Sequence, residues 1–312
     1  METRKIGSLD VSVIGIGTNN FGRRLDEAGT AAVVNAALDA GINFFDTADV
    51  YGGGLSETFI GRALAGRRSQ AVIATKFGHN MPEQGKGASP AYIRQAVDAS
   101  LRRLGTDYID LYQLHTPDPD VPIADTLGAL NDLVQAGKVR EIGSSNFSGE
   151  QIREAEAAVR PGAARFVSLQ NEYSMLNREP EGDVLTECER YNIAFLPYFP
   201  LASGLLTGKY RKGQPMPEGT RLANGGRFAD MLKGGTFDTV EALAQFAESK
   251  GHTLLELAFA WLLARPVVAS VIAGAMNPDQ VRANAGTVAW KLTDAESAEV
   301  EAILAGTAST AG

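Results

Sequence analysis

Short continuous apolar runs alternate along the chain with longer segments whose apolar positions recur at helical spacing. The pattern predicts a small hairpin over Arg4 to Val13, turning at Gly7-Ser8, and then a strand over Val13–Gly17 that runs into a Gly-rich loop. From there helix and strand alternate. Helix Ala31–Ala40 precedes strand Ile42–Asp46, and helix Ser56–Leu64 precedes strand Ala71–Lys76. Helix Pro90–Leu104, with Ser89 as cap and proline in its first turn, precedes strand Tyr108–Leu114. That strand mixes β-branched and aromatic residues without clean alternation, as a parallel strand covered on both faces does.

The second half repeats the rhythm. Helix Thr126–Ala136 leads to strand Val139–Gly143, and Ser148-Gly-Glu-Gln151 reads as a capping box for a helix to about Val159. Strand Phe166–Gln170 follows, then a helix marked by Val184, Leu185, Cys188 and Tyr191, then strand Ile193–Pro197. Leu201 to Thr236 has no regular pattern. A helix begins near Val240, Thr253 caps a strongly apolar one, Val267–Ile272 is the last strand, and Asn277-Pro278 opens a helix that stops near Gly286. Thr293 caps one extra helix, and Gly306 to Gly312 is expected to fray. About eight strands, each followed by a helix, indicate parallel βαβ units. The first Gly-rich turn, Gly15-Ile-Gly17-Thr-Asn-Asn-Phe-Gly22, is not the Gly-x-Gly-x-x-Gly of an open dinucleotide-binding sheet. The expected fold is therefore α/β, a closed (β/α)8 TIM barrel with an N-terminal β-hairpin and an extra C-terminal helix, in one domain over 1–312.

Composition narrows the function. The chain has 312 residues and a net charge of -8, which argues against a general nucleic-acid-binding role. Its one cysteine, Cys188, supplies neither a disulfide framework nor a thiolate metal site and is expected as a buried small hydrophobe. No transmembrane run or signal-peptide core is visible, so a cytoplasmic location is expected.

In such a barrel the C-terminal strand ends converge. Strand two ends in Asp46-Thr-Ala-Asp-Val-Tyr51, strand three in Lys76 and strand four in His115. An acid, a phenol, an ammonium and an imidazole would be neighbours. A lysine ammonium favours phenolate and eases proton release from a tyrosine, and an aspartate would hold that ammonium charged and fixed. A neutral histidine can donate a hydrogen bond to a carbonyl oxygen. Such a set can protonate a forming alkoxide, or deprotonate an alcohol in reverse, but it supplies no hydride. Singly, each residue is more often a cap, a loop aromatic, a surface cation or a structural histidine. Their arrival at consecutive strand ends is what carries the chemistry. His79 and His252 have no such company and are expected to be structural or surface residues.

Phe45-Asp46-Thr-Ala-Asp-Val-Tyr51-Gly and Ser100-Leu-Arg-Arg-Leu-Gly-Thr-Asp-Tyr-Ile-Asp110-Leu-Tyr-Gln-Leu-His115 resemble the aldo-keto reductase signatures, as do Ala74-Thr-Lys76-Phe77-Gly, Gly143-Ser-Ser145-Asn146-Phe and Leu169-Gln170-Asn-Glu-Tyr. The resemblance covers nearly the whole chain and is nearest the branch of bacterial reductases and potassium-channel β subunits. It implies a barrel that binds NADPH in an extended pose and reduces an aldehyde or ketone reversibly, with NADP as cofactor and NAD an alternative. Tyr51 would be the general acid, Lys76 and Asp46 its tuning pair, and His115 the carbonyl-orienting group.

The resemblance also implies a cofactor set. Ser145, Asn146 and Gln170 would take the nicotinamide carboxamide, Tyr198 would stack on the ring, and Gly17 and Thr18 would touch its ribose side. Leu201, Ser203, Lys209 and Arg221 would cover the pyrophosphate. Gly274, Asn277, Gln280 and Asn284 would hold the adenosine end, with Asn277-Pro278 opening a helix whose N-terminus suits an anion. Relatives commonly place serine or arginine where Met276 stands, and a thioether makes no charge-assisted bond to a 2′-phosphate. Arg221 and Arg282 are the candidate replacements. The substrate is expected to be a small carbonyl or alcohol, walled by loops after strands one, four and seven and by Phe21, Phe77 and Phe228. Two other classes stay open: a cofactor-binding regulatory or redox-sensing subunit with very slow turnover, and a barrel hydrolase or Schiff-base lyase using Lys76.

Overall fold

The computed structural model describes residues 1–82, 85–211 and 235–308. Arg221, Phe228 and most of the irregular stretch lie outside them.

Strands β1 (Thr3–Ile6) and β2 (Leu9–Ser12) form the expected antiparallel hairpin. The barrel strands are β3 (Ile14–Gly17), β4 (Phe44–Asp46), β5 (Val72–Phe77), β6 (Ile109–Leu114), β7 (Val139–Ser145), β8 (Phe166–Glu172), β9 (Ala194–Tyr198) and β10 (Val271–Gly274). They form one eight-stranded parallel sheet in the order β10-β3-β4-β5-β6-β7-β8-β9. Closure comes from the segment just before β10: Phe195 N–H donates to Val267 O at 2.7 Å and Phe195 O accepts from Ala269 N–H at 3.0 Å. The last strand therefore lies later than the hydrophobic run Val267–Ile272 predicts, because that run's first half forms the seam.

The helices are α1 (Glu27–Asp39), α2 (Leu55–Ala63), α3 (Pro90–Leu104), α4 (Ile123–Gln135), α5 (Gly149–Ala158), α6 (Val184–Arg190), α7 (Thr236–Ser249), α8 (Leu254–Leu263), α9 (Pro278–Gly286) and α10 (Asp294–Ala308). Capping explains their bounds. Ser148 and Thr253 make full capping boxes with Gln151 and Glu256. Helix α1 starts four residues before its apolar stripe because the Asp26 side chain accepts from Gly29 N–H. Helix α10 continues to Ala308, past the expected fray point, and residues 309–312 lie outside the described ones. Among the described residues no helix is long and apolar enough to cross a membrane.

Two cores position the site. The larger fills the space between the strands and the helices, and it takes in the free Cys188. The smaller lies inside the barrel, where Ile6, Leu9 and Val11 of the hairpin pack on Phe44, Ala74, Leu111, Leu196 and Ala269. The hairpin thus plugs the N-terminal end. Arg4 fastens it, donating to Leu263 O at 2.8 Å and Val268 O at 2.6 Å, beside the seam. Two residues beyond Phe44, Ala74 and Leu111, the side chains of Asp46, Lys76 and Gln113 point into the barrel above this floor, joined by Gln170 of β8.

Candidate active site

Those four side chains form a buried polar layer. Lys76 Nζ lies 2.7 Å from both Asp46 carboxylate oxygens and 2.9 Å from Thr47 O. Gln170 Nε2 donates to Asp46 Oδ1 at 2.8 Å, and Gln113 Nε2 reaches the same oxygen at 3.4 Å. Gly143 leaves room for this layer: a Cβ there would collide with Ser168 and come within 3.2 Å of the Gln113 side chain. Gln113 escaped the sequence reading. Its signal was its place two residues before His115, on the inward face with Leu111.

Tyr51 opens a turn over Tyr51–Gly54 in which Gly52, Gly53 and Gly54 all take positive φ, a conformation that favours glycine. The turn swings the phenol back over Lys76, whose Nζ is 5.2 Å from the ring centroid. Burial raises the Tyr51 pKa above its ordinary value, and the ammonium pulls it down only in part. The expected acidification by lysine is therefore real as a component but is outweighed, so the phenol holds its proton. Burial acts to lower the Lys76 pKa, yet the charges of Asp46 and Tyr51 and their hydrogen bonds leave it raised.

His115 sits just past β6, its ring centroid 5.9 Å from that of Tyr51. Burial, then the charges of Lys76 and His79, push its imidazole down to about 2, so it is neutral at any ordinary pH. Its Nδ1 is buried and unpartnered. His79 corrects the expectation of a structural or surface residue. Its ring is 4.1 Å from that of His115, edge to face, and it lines the same cleft.

The cleft, about 840 Å³, opens at the C-terminal strand ends and is lined by Gly17, Thr18, Asp46, Tyr51, His115, Ser145, Asn146, Gln170, Tyr198, Leu201, Ser203, Lys209, Gly274, Met276, Gln280 and Asn284, with Asn20, Arg24, His79 and Phe199 among the residues not foreseen as walls. A connected polar strip runs along it. Ser145 Oγ donates to Gln170 O at 2.8 Å, Asn146 Nδ2 to His115 O at 2.9 Å, and Tyr198 OH to Asn146 Oδ1 at 2.9 Å. Asn146, Phe199 and Ser203 hold positive φ at this cleft, as does neighbouring Ala202, the kind of backbone strain that gathers at functional sites. At the far end Asn284 Nδ2 is buried and unpartnered. Gln280 Oε1 accepts from Met276 N–H at 2.8 Å.

Asn277 caps α9 as expected, its Oδ1 accepting from Gln280 N–H at 2.9 Å. Other expectations do not hold. Arg282 pairs with Asp279 outside the cleft. Phe21 and Phe77 are fully buried in the outer core, and Phe77 stacks on Tyr112 instead of walling a substrate pocket. The alternation that sends Lys76 inward sends Phe77 outward.

A long groove with a carboxamide-matching strip at its middle, a lysine-bearing loop over it and a buried orphan amide at its end fits a nicotinamide dinucleotide. Known proteins agree with this geometry. The sequence pattern of the Aldo/keto reductase family matches residues 13–305. "Aldo-keto reductase yakc [NADP(+)]" of Schizosaccharomyces pombe is 38% identical over 96% of this chain and 90% of its own length. A "probable voltage-gated potassium channel subunit beta" of Arabidopsis thaliana is 36% identical over 91% of this chain and 90% of its own. The solved holo form of aldo-keto reductase AKR11C1 from Bacillus halodurans superposes with a TM-score of 0.80 at 35% identity, over 97% of this chain and 96% of that one. Fold, cleft and sequence thus converge, and the chain belongs to the aldo/keto reductase family of oxidoreductases.

Proposed function

We propose that the protein reduces a small aldehyde or ketone to the alcohol, reversibly, with NADPH as the favoured cofactor. The observation that carries this is the phenol of Tyr51 held protonated over the Lys76–Asp46 pair, beside a neutral His115, at the floor of a dinucleotide-sized cleft. When bound, the dinucleotide supplies the hydride. His115 donates a hydrogen bond to the carbonyl oxygen and orients it. Tyr51 gives its proton to the oxygen as negative charge grows there. Lys76, fixed by Asp46, stabilises the phenolate left behind, so the proton transfer becomes affordable only as the alkoxide forms.

Ser145, Asn146 and Gln170 would hold the carboxamide, Tyr198 the nicotinamide ring, Gly17 and Thr18 the ribose side, and Leu201, Ser203 and Lys209 the pyrophosphate. Gly274, Asn277, Gln280 and Asn284 would hold the adenosine end. The NADP(+)-named relative supports the choice of dinucleotide. A Schiff-base role for Lys76 is disfavoured, because its amine has no exposed surface and is held as an ammonium. Similarity to potassium-channel β subunits supports a second reading, a cofactor-binding regulatory subunit with very slow turnover.

Steady-state reduction of an aldehyde panel, with NADPH and NADH, decides between the two. Tyr51→Phe should lose about 10²–10⁴-fold in turnover, while its NADPH dissociation constant stays near that of the wild type. Wild-type turnover in Tyr51→Phe would remove the phenol from the mechanism.

A further inference from the structure

His79 lies three residues beyond Lys76, after Gly78 turns the chain with φ +116. That turn brings its imidazole against His115 at the substrate end of the cleft. Among the described residues neither ring nitrogen of His79 has a hydrogen-bond partner; only its backbone oxygen is engaged, by Tyr92 OH at 3.5 Å. His115 Nδ1 is likewise unpartnered and buried. Burial, and then the Lys76 charge, lower the His79 pKa, as they do that of His115. Both rings are therefore neutral at neutral pH, and each keeps one donor and one acceptor. Two adjacent neutral imidazoles that line one cleft, His115 buried and His79 half-buried, can hydrogen-bond a ligand with two polar atoms.

We propose that His79 is a specificity-determining residue, forming with His115 a seat for the two oxygens of a carbonyl compound that bears an oxygen on the neighbouring carbon: an α-hydroxyaldehyde, an α-hydroxyketone or a 1,2-dicarbonyl. This rests on the reductase reading above. His115 takes the reacting carbonyl oxygen, and the vicinal oxygen lies roughly 3 Å away by ordinary bond lengths. The second imidazole, with its centroid 4.1 Å from the first, is within reach of that oxygen. An apolar aldehyde of the same size leaves His79 without a partner in a partly desolvated site. Sites built to bond a substrate hydroxyl discriminate against the analogue that lacks it.

The test compares 2-hydroxypropanal with propanal, and hydroxyacetone with butanone, using NADPH and the wild type, His79→Leu and His79→Asn. The wild type should favour the hydroxylated member of each pair by about 10–100-fold in kcat/KM, mainly through KM. In His79→Leu the ratio should fall to near unity, and His79→Asn should restore part of it; NADPH titration and melting temperature report that each variant is folded. Equal kcat/KM within the pairs in the wild type, or an undiminished preference in His79→Leu, overturns the proposal. If none of the four carbonyls is turned over, the reductase reading is what fails. Binding then decides separately: the NADP⁺-loaded protein should take propane-1,2-diol more tightly than propan-1-ol, and equal binding overturns the seat.

Discussion

Lys76 Nζ is equidistant, at 2.7 Å, from the two oxygens of Asp46, and neither side chain is more than marginally exposed. A buried ion pair of this kind does not by itself signify stability, since desolvation consumes much of the Coulombic gain. Its role lies in keeping an ammonium beneath the phenol.

Asp46→Asn should therefore destabilise the fold by about 3–5 kcal/mol, because it strands a buried ammonium, and should also lower turnover. The double variant Asp46→Leu, Lys76→Met should recover much of the stability and none of the activity. Urea denaturation with a carbonyl-reduction assay on the same samples checks both. Recovery of activity in the double variant would show that the pair is structural alone.

Acid should weaken the protein through His115. The unfolded imidazole takes up a proton near pH 6.5, whereas the folded one refuses it until about pH 2. Between these values the unfolded state binds more protons, so stability rises with pH across that window and is level above it. At pH 5 the penalty is about 2 kcal/mol. His115→Gln should flatten this part of the profile, as urea midpoints from pH 7.5 to 4.5 would show.

Asp49 has the opposite slope. Its carboxylate is buried with both oxygens unpartnered, and burial, then the Glu57 charge, push its pKa from 3.8 to about 7. The folded state keeps a proton that the unfolded state loses, so stability falls as pH rises from 3.8 to 7. Above 7 the cost is on the order of 4 kcal/mol. Asp49→Asn should raise the melting temperature more at pH 8 than at pH 4.5, and an equal effect at both would show that Asp49 is not protonated in the fold.

Lys209 leans over the loop that covers the cleft, close enough that a Cβ on Gly204 would lie 3.0 Å from its Nζ. Lys209→Ala should raise the NADPH dissociation constant about tenfold, the loss of one charge-assisted bond. The salt dependence of binding should fall with it. Fluorescence titration at two ionic strengths measures both, and unchanged curves would remove Lys209 from the phosphate site.

The barrel and the positions of Asp46, Lys76 and His115 were readable because each depends on strand periodicity and strand ends, which local pattern encodes, and Tyr51 because the Gly52–Gly54 turn follows it directly. Phe77 was misassigned although the same periodicity places it outward beside an inward Lys76. His79 was different in kind. Its direction is set by the φ of Gly78 and by the ring of His115 just past the next strand, and neither is written in the spacing of apolar residues.

The ring of strands is riveted at Phe195 by one pair of backbone bonds, where β8 and β9 share a full ladder. Four residues downstream begins the strained run from Phe199 to Ser203 that forms a wall of the groove. A hoop loosens first at its weakest joint, and here that joint adjoins the doorway and not the Asp46–Lys76 arc.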